Sequence, residues 1–236
     1  MDSTLAIIPA RGGSKRIPRK NVRNFCGKPI LSYSIKAAKE SELFHEVMVS
    51  TDDEEIADIA RKFGAVTPYV RSRRNSNDYA TTADVIKEVL NDYSNDGKEY
   101  DYVCCIYPTA PFITSDILKR SYEKLRHSDF HCILPIMKFS YPIQRSFLLE
   151  SDGTLKPNWP EHMLTRSQDL PETYHDAGQF YFFRSKEFLR TGTVINDRAG
   201  GLAISESAGQ DIDTETDWKL AELKYRLIND HQNNGT

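Results

Sequence analysis

Short apolar runs alternate with amphipathic stretches along most of the chain. Each run has the length of a buried strand, whereas apolar residues in the stretches between them recur at helical spacing. Ile56, Ile59, Ala60 and Phe63, for example, fall on one helical face, and Gly64 follows where a glycine commonly ends a helix. The pattern predicts strands at residues 4–9, 46–50, 102–107, 132–137 and 201–205, and helices at 29–43, 53–63, 82–93, 115–126 and 214–227.

This alternation of strands and helices is typical of βαβ units. It predicts an α/β fold with a largely parallel sheet that is covered by helices on both faces. Ligands of such sheets bind at the carboxyl ends of the strands. The loops that follow the predicted strands are therefore the first places to search for function.

The alternation breaks between residues 139 and 184, a stretch rich in proline and aromatic residues in which short strands are predicted at 144–149 and 179–183. We expect residues 1–138 and 185–236 to form the α/β core and 139–184 to form a small inserted lobe. Its apolar side chains favour burial against a second copy of the chain, although packing on the chain's own core would also cover them. These side chains are Tyr141, Phe147, Leu148, Trp159, Met163 and Leu164.

Composition narrows the functional classes. The 236 residues, 39% hydrophobic and 28% charged, are typical of a soluble globular protein, and the net charge of −3 argues against a wholly basic, nucleic-acid-binding surface. No apolar run approaches the roughly 20 residues of a membrane helix, and none resembles a signal peptide. We expect a cytoplasmic protein with neither a membrane nor a nucleic acid as partner. The four cysteines, Cys26, Cys104, Cys105 and Cys132, form no CxxC pair, which favours reduced thiols over a zinc site.

The clearest candidate for chemistry is the loop after the first predicted strand, PARGGSKRIPRKN. Gly12 and Gly13 would let backbone amides approach a ligand closely, and Arg11, Lys15 and Lys20 add positive charge. The loop matches neither the Walker A motif nor GxGxxG.

Positive charge is concentrated around this loop. Residues 3–39 contain nine Lys or Arg and no Asp or Glu, in a chain whose net charge is −3. A solvated basic loop or a nucleic-acid contact would show the same bias. The position directly after the first strand favours a polyphosphate ligand.

Two carboxylates stand out late in the chain, in QDIDTETDW. Asp211 and Asp213 are two positions apart in an extended segment, so their side chains point the same way and suit a Mg²⁺ ion shared with phosphate oxygens. Asp213 or Thr214 would also make a good cap for the helix that follows. The two interpretations are compatible, because one aspartate could cap while the other binds.

Weaker candidates follow other predicted strands. Tyr107 opens the segment YPTAP directly after the central strand and should border the site, although its prolines could simply end that strand. Arg71 precedes a polar turn, and Thr81 and Thr82 stand at a helix start. In isolation these residues are at least as consistent with structural roles as with ligand binding.

Taken together, IPARGGSKxIPxKN and QDIDTxxD resemble the acylneuraminate cytidylyltransferases, which make CMP-activated nine-carbon keto acids. The resemblance runs from residue 7 to about residue 227. It implies a Rossmann-like nucleotidyltransferase fold with a small inserted dimerisation lobe, a homodimer, and a Mg²⁺-dependent reaction between CTP and a nonulosonic acid. It implies nucleotide binding by Ala10, Arg11, Gly12, Gly13, Ser14, Lys15, Lys20, Asn21, Arg71, Thr81 and Thr82, catalysis by Arg11, Lys15, Lys20 and Asp211, and metal binding by Asp211 and Asp213.

The departures from the sialic acid enzymes fall where the sugar should bind. Those enzymes commonly have Gln at Tyr107, Lys at Gln144, and Arg-Pro-Asn-Gly at residues 175–178, which here read HDAG, whereas Arg166 is retained and could pair with the sugar carboxylate. The changes resemble the branch that acts on pseudaminic acid. The implied sugar-binding residues are Tyr107, Gln144, Arg166, His175 and Tyr181.

Three alternatives stay open from the sequence, and one of them, a non-catalytic nucleic-acid binder that uses the basic loop, is disfavoured by the net charge of −3. The acceptor could be N-acetylneuraminic acid, legionaminic acid or a shorter keto acid. A metal-dependent glycosyltransferase also uses paired aspartates on a similar fold. No side chain is an obvious general base, and His175 is a candidate only through its expected position near the sugar.

Overall fold

A computed structural model describes residues 2–233 and contains one seven-stranded sheet and two small hairpins. The sheet strands are β1 (Thr4–Pro9), β4 (Glu46–Ser50), β5 (Tyr102–Ile106), β6 (Cys132–Lys138), β9 (Tyr174–Asp176), β10 (Phe180–Arg184) and β11 (Ala199–Ile204). The hairpins pair β2 (Asn24–Phe25) with β3 (Lys28–Pro29) and β7 (Phe147–Leu149) with β8 (Leu155–Pro157). The helices are α1 (Leu31–Glu40), α2 (Glu54–Lys62), α3 (Thr82–Asn95), α4 (Ser115–Arg126), α5 (Ser185–Thr191) and α6 (Glu215–Asn233).

The sheet is largely parallel, as predicted. Its order is β11-β6-β10-β5-β1-β4, with β9 paired to the end of β6. Strands β4, β1 and β5 run parallel to one another, as do β6 and β11, whereas β10 runs antiparallel between β5 and β6. The carboxyl ends of β1, β4 and β5 therefore meet at one edge, where the loops predicted to carry function emerge.

Helices cover both faces because side chains alternate along each strand. On β1, Ala6 and Ile8 pack into a core shared with α1, α2 and α4, whereas Leu5 and Ile7 pack into a core shared with α3 and α5. All four side chains are inaccessible to solvent. This confirms the predicted α/β architecture.

A third apolar cluster anchors the basic loop to the C-terminal helix. Ile17 of the loop, Phe25 of β2 and Trp218 of α6 are fully or almost fully buried together. The Phe25 and Trp218 rings meet edge to face, with centroids 5.6 Å apart, and the Arg23 guanidinium lies 4.5 Å from the Trp218 ring centroid. This packing brings the loop after β1 next to the segment before α6, although the two are about 200 positions apart in the sequence.

The predicted elements are confirmed, with boundary shifts. The first helix begins at Leu31 rather than at residue 29, because Pro29 pairs with Asn24 in the β2–β3 hairpin. Within the predicted strand 144–149, only Phe147–Leu149 is extended, and the residues before it form a 3₁₀ turn. The short helix α5 was not predicted.

The predicted boundary of the inserted lobe at residue 184 is wrong. Strands β9 and β10 belong to the central sheet, and Phe180 and Phe182 are buried in its core. Residues 139–173 lie outside the sheet and carry the exposed β7–β8 hairpin. Tyr141 and Leu164 are 84% and 97% exposed, whereas Trp159 and Met163 are half-buried within the chain. Among the described helices, none combines the length and the hydropathy needed to cross a bilayer.

Candidate nucleotide-binding and catalytic site

Two adjoining cavities lie at the carboxyl ends of β1, β4 and β5. The larger, about 380 Å³, lies between the loop after β1 and the segment before α6, and the smaller, about 190 Å³, lies between that loop and residues 71–82. Pro9, Arg11 and Tyr107 line both. The two cavities therefore form one cleft, which Arg11 and Tyr107 divide into two halves.

The loop after β1 is held in place by backbone hydrogen bonds. The Ala10 N–H donates to the Ser50 carbonyl, N to O 2.9 Å, and the Gly12 N–H donates to Asp52 Oδ1 at 2.9 Å. Asn21 is buried, and its amide donates to the Arg11 carbonyl at 2.9 Å. Asn21 thus shapes the loop, which leaves Ser14 and the cations of the loop to face the larger cavity.

Gly12 packs tightly against α2, whereas Gly13 does not. A Cβ on Gly12 would lie 2.7 Å from Asp53 Oδ2 and 3.0 Å from Asp53 Cβ. A Cβ on Gly13 would meet no protein atom within 4 Å. The loop therefore needs glycine at position 12 to approach the N-terminus of α2 this closely, whereas position 13 has room for a side chain.

Gly12→Ala is therefore expected to displace the loop and to weaken CTP binding. Because overpacking costs about 1–3 kcal/mol in a packed site, a loss of about 1 kcal/mol in the free energy of unfolding is expected as well. Gly13→Ala is the matched control and should leave the free energy of unfolding unchanged. Urea unfolding and CTP titration of both variants test this, and equal effects of the two substitutions would contradict it.

Lys20 lies between the loop and the late carboxylates. Its side chain is 19% exposed; the ammonium donates to the Ile212 carbonyl and lies 3.7 Å from Asp213 Oδ1. Burial lowers the pKa of Lys20, and the carboxylates of Asp213 and Asp211 oppose that shift. Arg16 pairs with the other oxygen of Asp213 at 2.7 Å. The larger cavity thus brings cations and carboxylates together, as the sequence predicts.

Asp211 and Asp213 are not helix caps. Thr214 caps α6: its hydroxyl accepts from the Asp217 N–H at 3.2 Å, and Asp217 Oδ2 accepts from the Thr214 N–H at 2.7 Å. The two earlier carboxylates are left to line the cavity. Although much of the Asp211 residue is exposed, partial desolvation of its carboxyl raises its pKa, and the neighbouring Asp213 raises it further.

This donor set fits a hard divalent cation that takes its remaining ligands from a nucleotide and from water. Mg²⁺ prefers one or two carboxylates plus phosphate oxygens to a cage built wholly of protein. Residues 2–233 contain no cluster of three or more His, Cys, Asp or Glu side chains able to hold a metal ion by themselves. Asp211 and Asp213 supply charge that a cation would neutralise.

The smaller cavity is lined by Arg71 and the start of α3. Arg71 is 6% exposed; its Nε donates to Ser50 Oγ at 3.0 Å and its Nη2 to the Ser50 carbonyl at 2.5 Å. Burial lowers the pKa of Arg71 to about 10. Thr81 caps α3, and its hydroxyl donates to Asp84 at 2.7 Å, so its side chain has a structural role. Thr82 follows it and also lines the cavity.

Tyr107 lines both cavities, and Tyr181, which lines neither, packs against it. Their rings meet edge to face with centroids 5.6 Å apart, and burial raises the pKa of both phenols. The Tyr181 hydroxyl donates to Asp176 Oδ2 at 2.5 Å. A Cβ on Gly178 would lie 4.0 Å from Asp211 Cγ. Of the segment 175–178, Gly178 therefore lies beside Asp211.

The other predicted sugar-binding residues lie away from both cavities. Gln144 is buried and donates to the Pro171 carbonyl at 3.3 Å, which ties the residues outside the sheet together. Arg166 is exposed and pairs with Asp169 at 2.7 Å. His175 packs on Phe139, with ring centroids 4.9 Å apart. The structure thus brings together most of the predicted nucleotide-binding residues and the carboxylate pair; of the predicted sugar set, only Tyr107 lines the cleft, and Tyr181 packs against it.

Three carboxylates at or beside the site are not predicted from the sequence. Asp52 accepts from the Gly12 N–H, Asp78 pairs with Arg11 at 2.8 Å, and Asp176 accepts from Tyr181. Asp52 lies two residues after the end of β4, so the expectation that ligands bind at the carboxyl ends of the strands points to it. Asp78 lies in a polar turn, where nothing in the local sequence singles it out, whereas Asp176 ends β9 within the HDAG segment, without a predicted role of its own.

A basic loop follows the first strand of the parallel sheet and faces a pair of carboxylates. This arrangement is the one expected of an α/β protein of the nucleotidyltransferase class. The solved structure of CMP:2-keto-3-deoxy-manno-octonic acid synthetase complexed with CTP shares this fold, with a TM-score of 0.70 at 16% identity over 97% of this chain and 99% of that one. The 4-diphosphocytidyl-2C-methyl-D-erythritol synthase of Anaerococcus prevotii also shares it, with a TM-score of 0.62 at 15% identity, over 95% and 99% of the two chains.

The chain belongs to the cytidylyltransferase family, whose model matches residues 5–194. A pseudaminic acid cytidylyltransferase of Campylobacter jejuni is 43% identical, over 94% of this chain and 96% of that protein. The CMP-N,N'-diacetyllegionaminic acid synthase of Legionella pneumophila is 31% identical, also over 94% and 96%. These matches confirm the predicted family and fold.

Proposed function

We propose that this protein is a pseudaminic acid cytidylyltransferase, which transfers the cytidylyl group of CTP to pseudaminic acid and releases pyrophosphate. One observation carries the proposal: the similarity to the Campylobacter jejuni enzyme extends over 94% of this chain, at 43% identity. The identity falls to 31% for the relative named for a legionaminic acid product. Of the residues that depart from the sialic acid pattern, Tyr107 lines both cavities of the cleft.

The cleft suggests how the reaction is arranged. Cytosine would occupy the smaller cavity near Arg71 and Thr82, and the triphosphate would cross to Arg11, Lys15 and Lys20 in the larger one. The anomeric hydroxyl of the sugar attacks the α-phosphorus in line, a new P–O bond forms, and the bond to the β-phosphate breaks. The hydroxyl proton passes to solvent or to a nearby acceptor. Catalysis then rests on positioning and on stabilisation of negative charge.

Asp211 and Asp213 are the residues that would hold Mg²⁺ in this reaction. The bound ion supplies charge neutralisation at the phosphate oxygens. Lys20, held against Asp213 and the Ile212 carbonyl, would place a further cation beside the same oxygens. Arg16 would exchange its partner Asp213 for phosphate when the nucleotide arrives.

The acceptor side of the site would be completed by a second copy of the chain. Gln144 and Arg166, expected to bind sugar, lie outside both cavities of one copy, in the same segment as several strongly exposed apolar side chains. A homodimer would bury these side chains and could deliver sugar-binding residues to the partner's cleft. The exposed side chains are Tyr141, Phe147, Leu148, Leu149, Leu155 and Leu164.

Pyrophosphate release from CTP and Mg²⁺, measured with a panel of acceptors, tests the proposed function. The panel is pseudaminic, N-acetylneuraminic, legionaminic and deoxyoctulosonic acids. Release is expected with pseudaminic acid at a kcat/KM at least about tenfold above the others, since buried polar groups left unpaired penalise the wrong sugar. Release with another acid alone would replace the proposed acceptor, and no release with any acid, CTP binding being intact, would contradict a nonulosonic acid substrate.

A further inference from the structure

The cations expected to bind phosphate are already paired with a carboxylate from another loop. Asp78 Oδ1 lies 2.8 Å from Arg11 Nη1, and its other oxygen pairs with the Lys15 ammonium. These two contacts, here called the Asp78 bridge, join the turn before α3 to the loop after β1. Each carboxylate oxygen takes one cation, as a bridging phosphate would.

The turn that carries Asp78 has a defined shape. The side-chain oxygen of Asn77 accepts from the Tyr79 N–H at 2.7 Å and from the Ala80 N–H at 3.0 Å. The capping box of Thr81 and Asp84 follows directly. Asp78 is thus presented to Arg11 by an ordered turn, although its side chain remains 38% exposed. The nearby cations hold the pKa of the Asp78 carboxyl below its usual range.

We propose that Asp78 forms an autoinhibitory contact in which its carboxylate competes with phosphate for Arg11 and Lys15. This inference rests on the proposed function, because it takes those two cations as the phosphate ligands. A phosphate that binds them must first open the Asp78 bridge, so its apparent dissociation constant is raised by the ratio of closed to open states. A nucleoside without phosphate pays no such penalty.

The bridge has a consequence for product release. Pyrophosphate needs the same cations as the triphosphate of CTP, and Asp78 takes them back when the product leaves. The residue thereby lowers affinity for pyrophosphate and favours its release. Because exposed ion pairs are individually weak, the closed bridge is expected to raise dissociation constants by only about 3- to 10-fold.

Asp78→Asn tests this, because it removes the charge and keeps the shape. Dissociation constants for CTP and inorganic pyrophosphate should each fall about 3- to 10-fold, while that for cytidine stays unchanged. Asp78→Glu keeps the charge and should bind all three ligands like the wild type. Asp58→Asn is the charge-matched control, since Asp58 is an exposed carboxylate paired with Arg61 on α2 and lies outside both cavities.

Calorimetric titrations of the four proteins distinguish the outcomes. The proposal would be overturned if Asp78→Asn left the dissociation constants of CTP and pyrophosphate unchanged. It would also be overturned if Asp58→Asn lowered those constants as much as Asp78→Asn does. Weaker binding of both CTP and cytidine would overturn it too, by making Asp78 a nucleoside ligand. Wild-type protein that binds neither CTP nor pyrophosphate would overturn the proposed function itself. Thermal melting of each variant verifies that it is folded.

Discussion

Replacement of Lys20 by methionine is expected to lower kcat by about 10²–10³-fold, the loss typical of removing one preorganised charge from a transition state. Lys20 is the most enclosed cation of the loop after β1, and it contacts both Asp213 and the Ile212 carbonyl. Methionine keeps the length of the side chain and removes its charge. Because burial already penalises the ammonium, the fold should tolerate the change. Steady-state pyrophosphate release measures the effect.

The control for this substitution is Lys36→Met. Lys36 is an exposed lysine of α1 that pairs with Glu40 at 3.6 Å. Loss of that weak surface pair should leave kcat and the melting temperature nearly unchanged. If Lys20→Met kept both the wild-type kcat and the wild-type melting temperature, Lys20 would have no part in catalysis.

Asp211→Asn is expected to reduce kcat by about 100-fold or more and to shift the Mg²⁺ titration to higher concentration, as loss of a metal-bound charge should. Partial desolvation and the neighbouring Asp213 raise the pKa of the Asp211 carboxyl, because both destabilise its charged form, and a bound cation would offset that cost. Asparagine keeps the shape but removes the charge. The Mg²⁺ dependence of pyrophosphate release, followed at saturating CTP, measures the shift.

Asp217→Asn separates metal binding from helix capping. Asp217 accepts from the Thr214 N–H and hydroxyl at the start of α6, six residues after Asp211. Its loss should lower the melting temperature through the weakened cap and leave the Mg²⁺ titration in place. If Asp211→Asn gave a wild-type Mg²⁺ titration, or if Asp217→Asn shifted it equally, Asp211 would have no special part in binding the ion.

Local periodicity was enough to predict most of the elements. The apolar spacing in residues 53–63 and the glycine that follows correspond to α2 and its end, because both signals depend on residues only a few positions apart. The position of β10 could not be predicted in this way. Its sequence, FYFFR, indicates a buried strand, but its antiparallel place between β5 and β6 depends on partners far away in the chain.

The site could be predicted from the sequence where its residues follow the strands of the sheet, because ligands bind at the carboxyl ends of those strands. The loop after β1 and Tyr107 after β5 both emerge at the carboxyl edge of the sheet. The ambiguity over Asp213 as a helix cap could have been resolved from sequence, because Thr214 and Asp217 form the Thr-x-x-Asp pattern of a capping box. Asp78 could not be found, since its importance comes only from the approach of a distant turn to Arg11.

The fate of labelled phosphorus tests the central claim, cytidylyl transfer, most directly. The protein would be incubated with pseudaminic acid and Mg²⁺, and with CTP radiolabelled at either the α- or the γ-phosphorus. The account predicts that the α label moves to a sugar nucleotide and the γ label to pyrophosphate, in equal amounts. A γ label transferred to the sugar, or an α label that never leaves the nucleotide pool, would contradict it.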